Sequence, residues 1–408
     1  MDKISFIGDL MFERQYVKAR KSCRGYDFSG LLVNLKSLLA GSDIVVANLE
    51  SVFAGEDLGY TSDLYSFNTP SEALDVLKEC GISIVTTANN HCLDRGVQGL
   101  KRTIQALDEK HIGHTGTYMN PNEMDRSLIQ EVNGVKYAFM SYTYGTNSLE
   151  NKIFLTDSEL GHVNLLKPQE KDKLAQTGRQ PSKVRAVLNV LAQKLFSSDT
   201  RMHIKKLLRL RLNVPIVDDN LKIDSDFLDR LRCDIKKSKS ESDVLFMCLH
   251  SGGQFNAYPG NFTKSIINIL RQEGIHYVIA THPHVVQLCN VDQCGDVVFY
   301  SIGNLTISPS SIYVLRELKP EYSIIPHFYF SKGIHGEIVL RKLTFSIVKV
   351  IESKDCSLTV FPVKDLWERS GEKEKEILFN DVSFIYSRVV NEDTSLSVLQ
   401  DEYEIILK

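Results

Sequence analysis

Six short, largely apolar runs in this chain each stop at side chains that can bind a cation. Residues 4–7 lead into Gly8-Asp9, residues 43–47 into Asn48-Leu49-Glu50, and residues 82–88 into Asn89-Asn90-His91. Further on, residues 244–249 lead into His250, residues 277–281 into His282-Pro283-His284, and residues 297–302 into Gly303-Asn304. Runs of this length read as strands buried on both faces, the pattern of a sheet covered by helices. In open α/β sheets the loops at the carboxyl ends of neighbouring strands converge along one edge, so reactive residues placed there meet. The pattern predicts an α/β fold and a shared metal centre at that edge.

The segments between these runs read as helices. Pro70-Ser71 opens a capped helix with Ala73, Leu74, Val76 and Leu77 on one face, closed by Gly81, and a second helix follows Asp94 with Leu100, Ile104 and Leu107 at helical spacing. Residues 135–142 form another strand, and helices over residues 224–239 and 260–273 restore the alternation farther along. Residues 146–215 break it. Val184, Val187, Leu188, Leu191 and Leu195 mark one helical stripe and Ile204, Leu207 and Leu208 another, and residues 165–213 hold twelve Lys or Arg against three Asp or Glu. That segment therefore carries +9 and the rest of the chain −12, because the net charge is −3. It reads as a basic helical insertion packed on the main domain or capping its cleft, where it would meet an anionic substrate; the competing reading is a solvated amphipathic pair. Core segments at 1–145 and 216–345 are expected around it. Residues 346–408 read as a β-rich extension that completes the second sheet.

With 408 residues and 43% hydrophobic content the chain can bury a large core. Nucleic acid is not expected as a partner, since only the insertion is basic and it has few aromatics to interleave. No stretch of eighteen apolar residues runs without a charge, and the first residues enter a core strand at once, so neither a transmembrane helix nor a signal peptide is expected and a cytoplasmic protein is. The eight cysteines lack C-x-x-C spacing and read as reduced, packed thiols. Cys92, next to His91, reads as a space-filling residue rather than a soft ligand.

Asp9 and Glu50 are hard oxygen donors, and His250, His282 and His284 supply imidazole. That mixture suits Zn, Mn or Fe rather than Ca, and a set this large suits two ions. In His282-Pro283-His284 the proline stiffens the turn between imidazoles that can enter one pocket. Beside a metal the amide oxygen of Asn90 can ligate, leaving His91 to move a proton or hold an oxyanion. Asp94 is placed to orient His91, or to cap the following helix. No organic cofactor site is read.

The strings Gly8-Asp9-Leu10-Met11, Ala47-Asn48-Leu49-Glu50, Ala88-Asn89-Asn90-His91 with Asp94 and Gly96, residues 141–147 (Ser-Tyr-Thr-Tyr-Gly-Thr-Asn), His282-Pro283-His284 and residues 300–304 (Tyr-Ser-Ile-Gly-Asn) together resemble the CapA family of bacterial capsule synthesis and poly-γ-glutamate biosynthesis proteins. The resemblance runs in order from residue 4 to about 305. It implies a fold similar to calcineurin-like metallophosphatases, a four-layer α/β/β/α sandwich, here with a helical insertion. It also implies metal ligation by Asp9, Glu50, Asn90, His250, His282 and His284, with Glu50 where a bridging carboxylate usually sits. His91, oriented by Asp94, falls on the unligated histidine that serves as acid or transition-state stabiliser.

Three departures bear on the site: the first leaves one metal position poorer in ligands, and the others bear on the substrate and the rim. Met11 stands where metallophosphatases often place a histidine. The family's usual His-Trp-Gly-x-Glu-Tyr reads His250-Ser251-Gly252-Gly253-Gln254-Phe255, and Thr281 replaces a histidine often found before the His-Pro-His pair. The leading expectation is a metal-dependent hydrolase in which a dinuclear centre activates water against an amide, isopeptide or phosphoester bond, in capsule or poly-γ-glutamate metabolism. Its substrate would be a peptide, polyglutamate or another anionic molecule. The alternatives are a metal-dependent peptide epimerase of a natural-product pathway and a non-catalytic, metal-stabilised binding subunit of a polymer synthesis complex.

Overall fold

The computed structural model describes residues 1–171, 191–192, 195–196, 198–208, 223–392 and 396–407. Its strands, in chain order, are β1 (Asp2–Leu10), a two-residue hairpin of β2 (Lys21–Ser22) and β3 (Gly25–Tyr26), β4 (Ile44–Leu49), β5 (Ile84–Thr86), β6 (Gly113–Thr115), β7 (Ser127–Val132), β8 (Val135–Thr143) and β9 (Val244–His250). There follow β10 (Tyr277–Thr281), β11 (Cys289–Val291), β12 (Val297–Phe299), β13 (Asn304–Thr306), β14 (Tyr322–Lys332), β15 (Ile338–Glu352), β16 (Leu358–Pro362) and β17 (Tyr403–Ile405). One sheet runs β16-β15-β14-β1-β4-β5-β6, with β13 also on β1 and β17 also on β15; the other runs β11-β12-β10-β9-β8-β7.

Side-chain alternation explains why the two sheets stack. Ile4, Phe6, Ile44 and Val46 of the first sheet and Tyr137, Phe139, Val244, Phe246 and Ile279 of the second belong to one buried cluster between them. The intervening residues point outward: Val45, Ala47 and Leu49 pack with Leu74 and Leu77 of the helix Glu72–Glu79 and with Leu107 of the helix Gly96–Glu109. On the far side, Leu245, Met247, Leu249 and Val278 pack with Leu231 and Ile235 of the helix Ser225–Glu241 and with Ile266 and Leu270 of the helix Asn261–Gln272. Because the side-chain period of a strand is two, strands apolar on both faces demand a helix layer on one side and a second sheet on the other. The result is the four-layer α/β/β/α sandwich.

The structure corrects several boundaries. The run over residues 82–88 is strand only at β5, and the run over 297–302 ends at β12 and turns before β13. Ser71 precedes its helix without a side-chain cap, whereas Gly81 follows the helix at φ +86°, a conformation glycine adopts at little cost. Residue 345 lies inside β15, so no boundary falls there. The C-terminal strands join the sheet of β1, and residues Glu372–Val390 form a helix whose Leu378, Val382, Ile385 and Val389 enter the inter-sheet core. Four apolar positions three or four residues apart explain that helix.

The start of the proposed insertion belongs to the core, since Val163 bridges to Thr117 and Leu165 to Thr143. Most of its basic stretch, with Val184, Val187 and Leu188, lies outside the described residues. Of its described residues, Leu191, Leu195, Ile204, Leu207 and Leu208 are exposed. No described helix is long and apolar enough to cross a membrane.

Candidate metal centre

Strand register assembles the site. In the first sheet Asp9 of β1 stands between Asn48 of β4 and Asn304 of β13, and in the second His250 of β9 stands between Thr143 of β8 and Thr281 of β10. Glu50 follows β4 directly. The close approach behind Asp9 depends on Gly8: a Cβ there would lie 2.0 Å from the carbonyl oxygen of Gly303, which accepts the Asp9 N–H at 3.1 Å.

Glu50, His250 and His282 form one buried donor set, and Asp9, Glu50 and His284 form another; within each set the donor atoms lie within 4.8 Å of one another. Glu50 is common to both. Its Oε1 lies 3.7 Å from His250 Nε2, 3.8 Å from His284 Nε2 and 3.8 Å from His91 Nε2. Yet neither carboxylate oxygen has a hydrogen-bond partner, although the residue is fully buried. An unpartnered buried carboxylate costs several kcal/mol, roughly, unless a cation or a proton compensates it. This arrangement of oxygen and imidazole donors fits divalent metal ions.

The electrostatics point the same way. Burial, then the negative charges of Asp9 and Asp94, push the Glu50 carboxyl well above its ordinary range. Burial, then the neighbouring imidazoles, hold His250 and His282 well below theirs, so both rings are neutral and have lone pairs to donate. His282 and His284 sit at φ +97° and +57°, a backbone region that non-glycine residues seldom occupy. The rings they carry meet at 5.6 Å between centroids, and His282 Nδ1 lies 3.0 Å from His250 Nε2.

Residues outside the two donor sets hold the first ones in place. Asn90 turns Oδ1 to His250 Nε2 at 2.8 Å. His91 stacks on Phe67 at 4.3 Å, and its Nδ1 donates to Asp94 Oδ2 at 2.6 Å. Asp94 also accepts from the Phe67 N–H at 2.5 Å and from Asn151 Nδ2 at 2.7 Å. It does not cap the next helix, whose N-cap is Arg95 without a side-chain bond. Thus all eight singled-out residues converge. Four neighbours were not assigned roles from sequence: Asn48, which donates to Asp9 Oδ1 at 2.7 Å, Asn304, which accepts from His284 Nδ1 at 2.8 Å, Asn147 and Phe67. Asn48 and Asn304 stand directly opposite Asp9 in register, a signal that pairing the apolar runs would have exposed.

The departures have structural readings. Met11 packs in the core with Leu10 and Phe12. Thr281 Oγ1 lies 3.0 Å from His250 Nδ1, and Phe255 faces the His284 ring at 6.0 Å. Cys92 is buried with Leu93, Leu100 and Ile104, its thiol pushed up to about 12 by burial, and it belongs to neither donor set.

The family model described as bacterial capsule synthesis protein PGA_cap matches residues 3–309. The chain belongs to that family. It is similar to the PGA biosynthesis protein CapA of Bacillus subtilis (strain 168), 21% identical over 302 residues that cover 74% of this chain and 62% of the relative. It is also similar to the capsule biosynthesis protein CapA of Bacillus anthracis, 21% identical over 304 residues, 74% of this chain and 58% of the relative. The match thus spans less than two thirds of the length of these family members. Among solved structures, a phosphatase from Mycoplasma pneumoniae aligns with a TM-score of 0.38 and 12% identity, covering 83% of this chain and 90% of that one. A hypothetical protein from Thermus thermophilus aligns with a TM-score of 0.38 and 15% identity, covering 88% and 99%.

Proposed function

We propose that this chain is a metal-dependent hydrolase in which Glu50 would help to hold both of two divalent ions. The observation that carries the reading is the Glu50 carboxylate, buried, without a hydrogen-bond partner, and common to two donor sets. His250, His282 and the Asn90 amide oxygen would hold one ion, Asp9 and His284 the other. Divalent ions there, of the Mn, Zn or Fe type, would supply Lewis-acid activation of water and neutralise charge on the reacting group. The bond attacked is an amide, isopeptide or phosphoester in an anionic substrate, in keeping with relatives named for PGA and capsule biosynthesis.

His91 has the proton-handling role. Its Nδ1–H is committed to Asp94, which fixes the tautomer and leaves Nε2 facing the Glu50 side of the cleft. Once protonated, Nε2 can give its proton to a leaving group or stabilise negative charge developing on the substrate. Phe67, stacked on the ring, keeps it from rotating out of this line.

The test compares three proteins purified without chelator or immobilised nickel and assayed on a γ-linked glutamyl peptide and an aryl phosphodiester. His282→Ala is expected to lose metal and activity together, and His91→Ala to lose activity while nearly all metal stays. Loss of metal from the His91 variant would contradict the role given to that residue. Deuterium entering one Cα of the peptide without cleavage would replace hydrolysis by epimerisation.

A further inference from the structure

Asn147, in the loop after β8, has no part in the chemistry above, yet it touches two residues that do. Its backbone N–H donates to the Asn90 carbonyl at 2.8 Å, which ties the two loops together whatever side chain position 147 carries. The side chain adds further contacts. Oδ1 accepts from Asn90 Nδ2 at 3.2 Å, and Nδ2 lies 3.2 Å from His91 Nδ1 and 3.4 Å from His91 Nε2.

The two ends of the Asn90 amide face opposite demands. Oδ1 points at the donor set of His250, and Nδ2 points away, at Asn147. Rotated by half a turn, the amide would present an NH2 group to the cations, and an NH2 group has no lone pair to offer. We infer that Asn147 is a positioning residue: its oxygen fixes the Asn90 amide with Oδ1 toward the metal centre. The inference rests on the metal-centre reading proposed above.

A carboxylate has oxygen at both ends, so in an Asn90→Asp protein the orientation no longer needs fixing. The experiment is a titration of metal-stripped protein with Mn2+ in four forms: unsubstituted, Asn147→Ala, Asn90→Asp and the double variant. Asn147→Ala is expected to weaken Mn2+ binding about 10-fold in the unsubstituted background, the scale found when a ligand's supporting partner is removed. In the Asn90→Asp background it is expected to cost nothing. Equal losses in both backgrounds, as a general disturbance of the loop would give, or no loss in either, would overturn the inference. Absence of Mn2+ binding by the unsubstituted protein would instead remove the metal-centre reading, and this inference with it.

Discussion

Two glutamates in this protein, Glu50 and Glu402, have opposite surroundings. Glu402 accepts from Lys3 Nζ, Tyr329 Oη and Thr344 Oγ1, each at 2.7 Å. Burial opposes its charge, but those bonds outweigh it and hold the carboxyl down at about 2. Nearby, His327 lies between Ser5 Oγ at 2.7 Å and Ser346 Oγ at 3.1 Å. Around Glu50 no donor reaches either oxygen; Nε2 of His250 stands 3.7 Å from Oε1 and Nε2 of His284 and of His91 3.8 Å, and burial keeps the His250 ring neutral. A buried polar cluster that closes on itself stabilises a fold; one that leaves carboxylate oxygens and lone pairs facing one another is completed from outside.

The largest expected effect separates the two clusters outright. Glu50→Gln should weaken divalent-metal binding by more than about 100-fold, beyond the range for a supporting residue. Glu402→Gln should leave metal content unchanged, as elemental analysis of both proteins would show. Next, Gly8→Ala drives a Cβ into the Gly303 carbonyl and should destabilise the protein by roughly 3 kcal/mol in denaturant unfolding, the upper range for overpacking.

Glu402→Ala should cost somewhat less, about 2 kcal/mol, by removing hydrogen bonds to a charged acceptor. That loss should be the same in stripped and metal-loaded protein, since Glu402 belongs to neither donor set.

The effect of pH is gradual. Burial, reinforced by Lys3, lowers His327 from 6.5 to about 3. Below pH 6.5 the unfolded chain therefore takes up a proton that the folded one refuses, and stability present above 6.5 is lost as pH falls toward 3. Glu402 adds its own loss only below about 4.5, as pH falls toward 2. Between pH 6.5 and 4.5 the slope of stability in His327→Gln should be shallower than in the unsubstituted protein by about 1.4 kcal/mol per pH unit. Parallel curves would show that His327 is not the group responsible.

The donor residues were legible because each ends a buried parallel strand, where an apolar run breaks abruptly to Asp, Glu or His. Asn48, Asn147 and Asn304 were quoted as parts of motifs without roles, because asparagine after a strand also serves ordinary turns. Only register or a fold-level contact distinguishes the two uses. β14 was harder to read, since Pro326 within a run argues against a central strand. It is tolerated because the pairing of β14 with β1 stops at Ser5 opposite His327, one position short of the proline. The C-terminal helix was missed because the aromatic and β-branched residues before it, in β15 and β16, drew the reading of the whole segment toward strand.

The central claim is that one carboxylate serves two ions, and it is tested most directly by electron paramagnetic resonance of the stripped protein loaded to saturation with Mn2+. Two ions sharing Glu50 should give the multiline spectrum of an exchange-coupled pair, and Glu50→Gln should abolish it. A saturated protein showing only the six-line signal of isolated Mn2+ would contradict the shared-carboxylate centre.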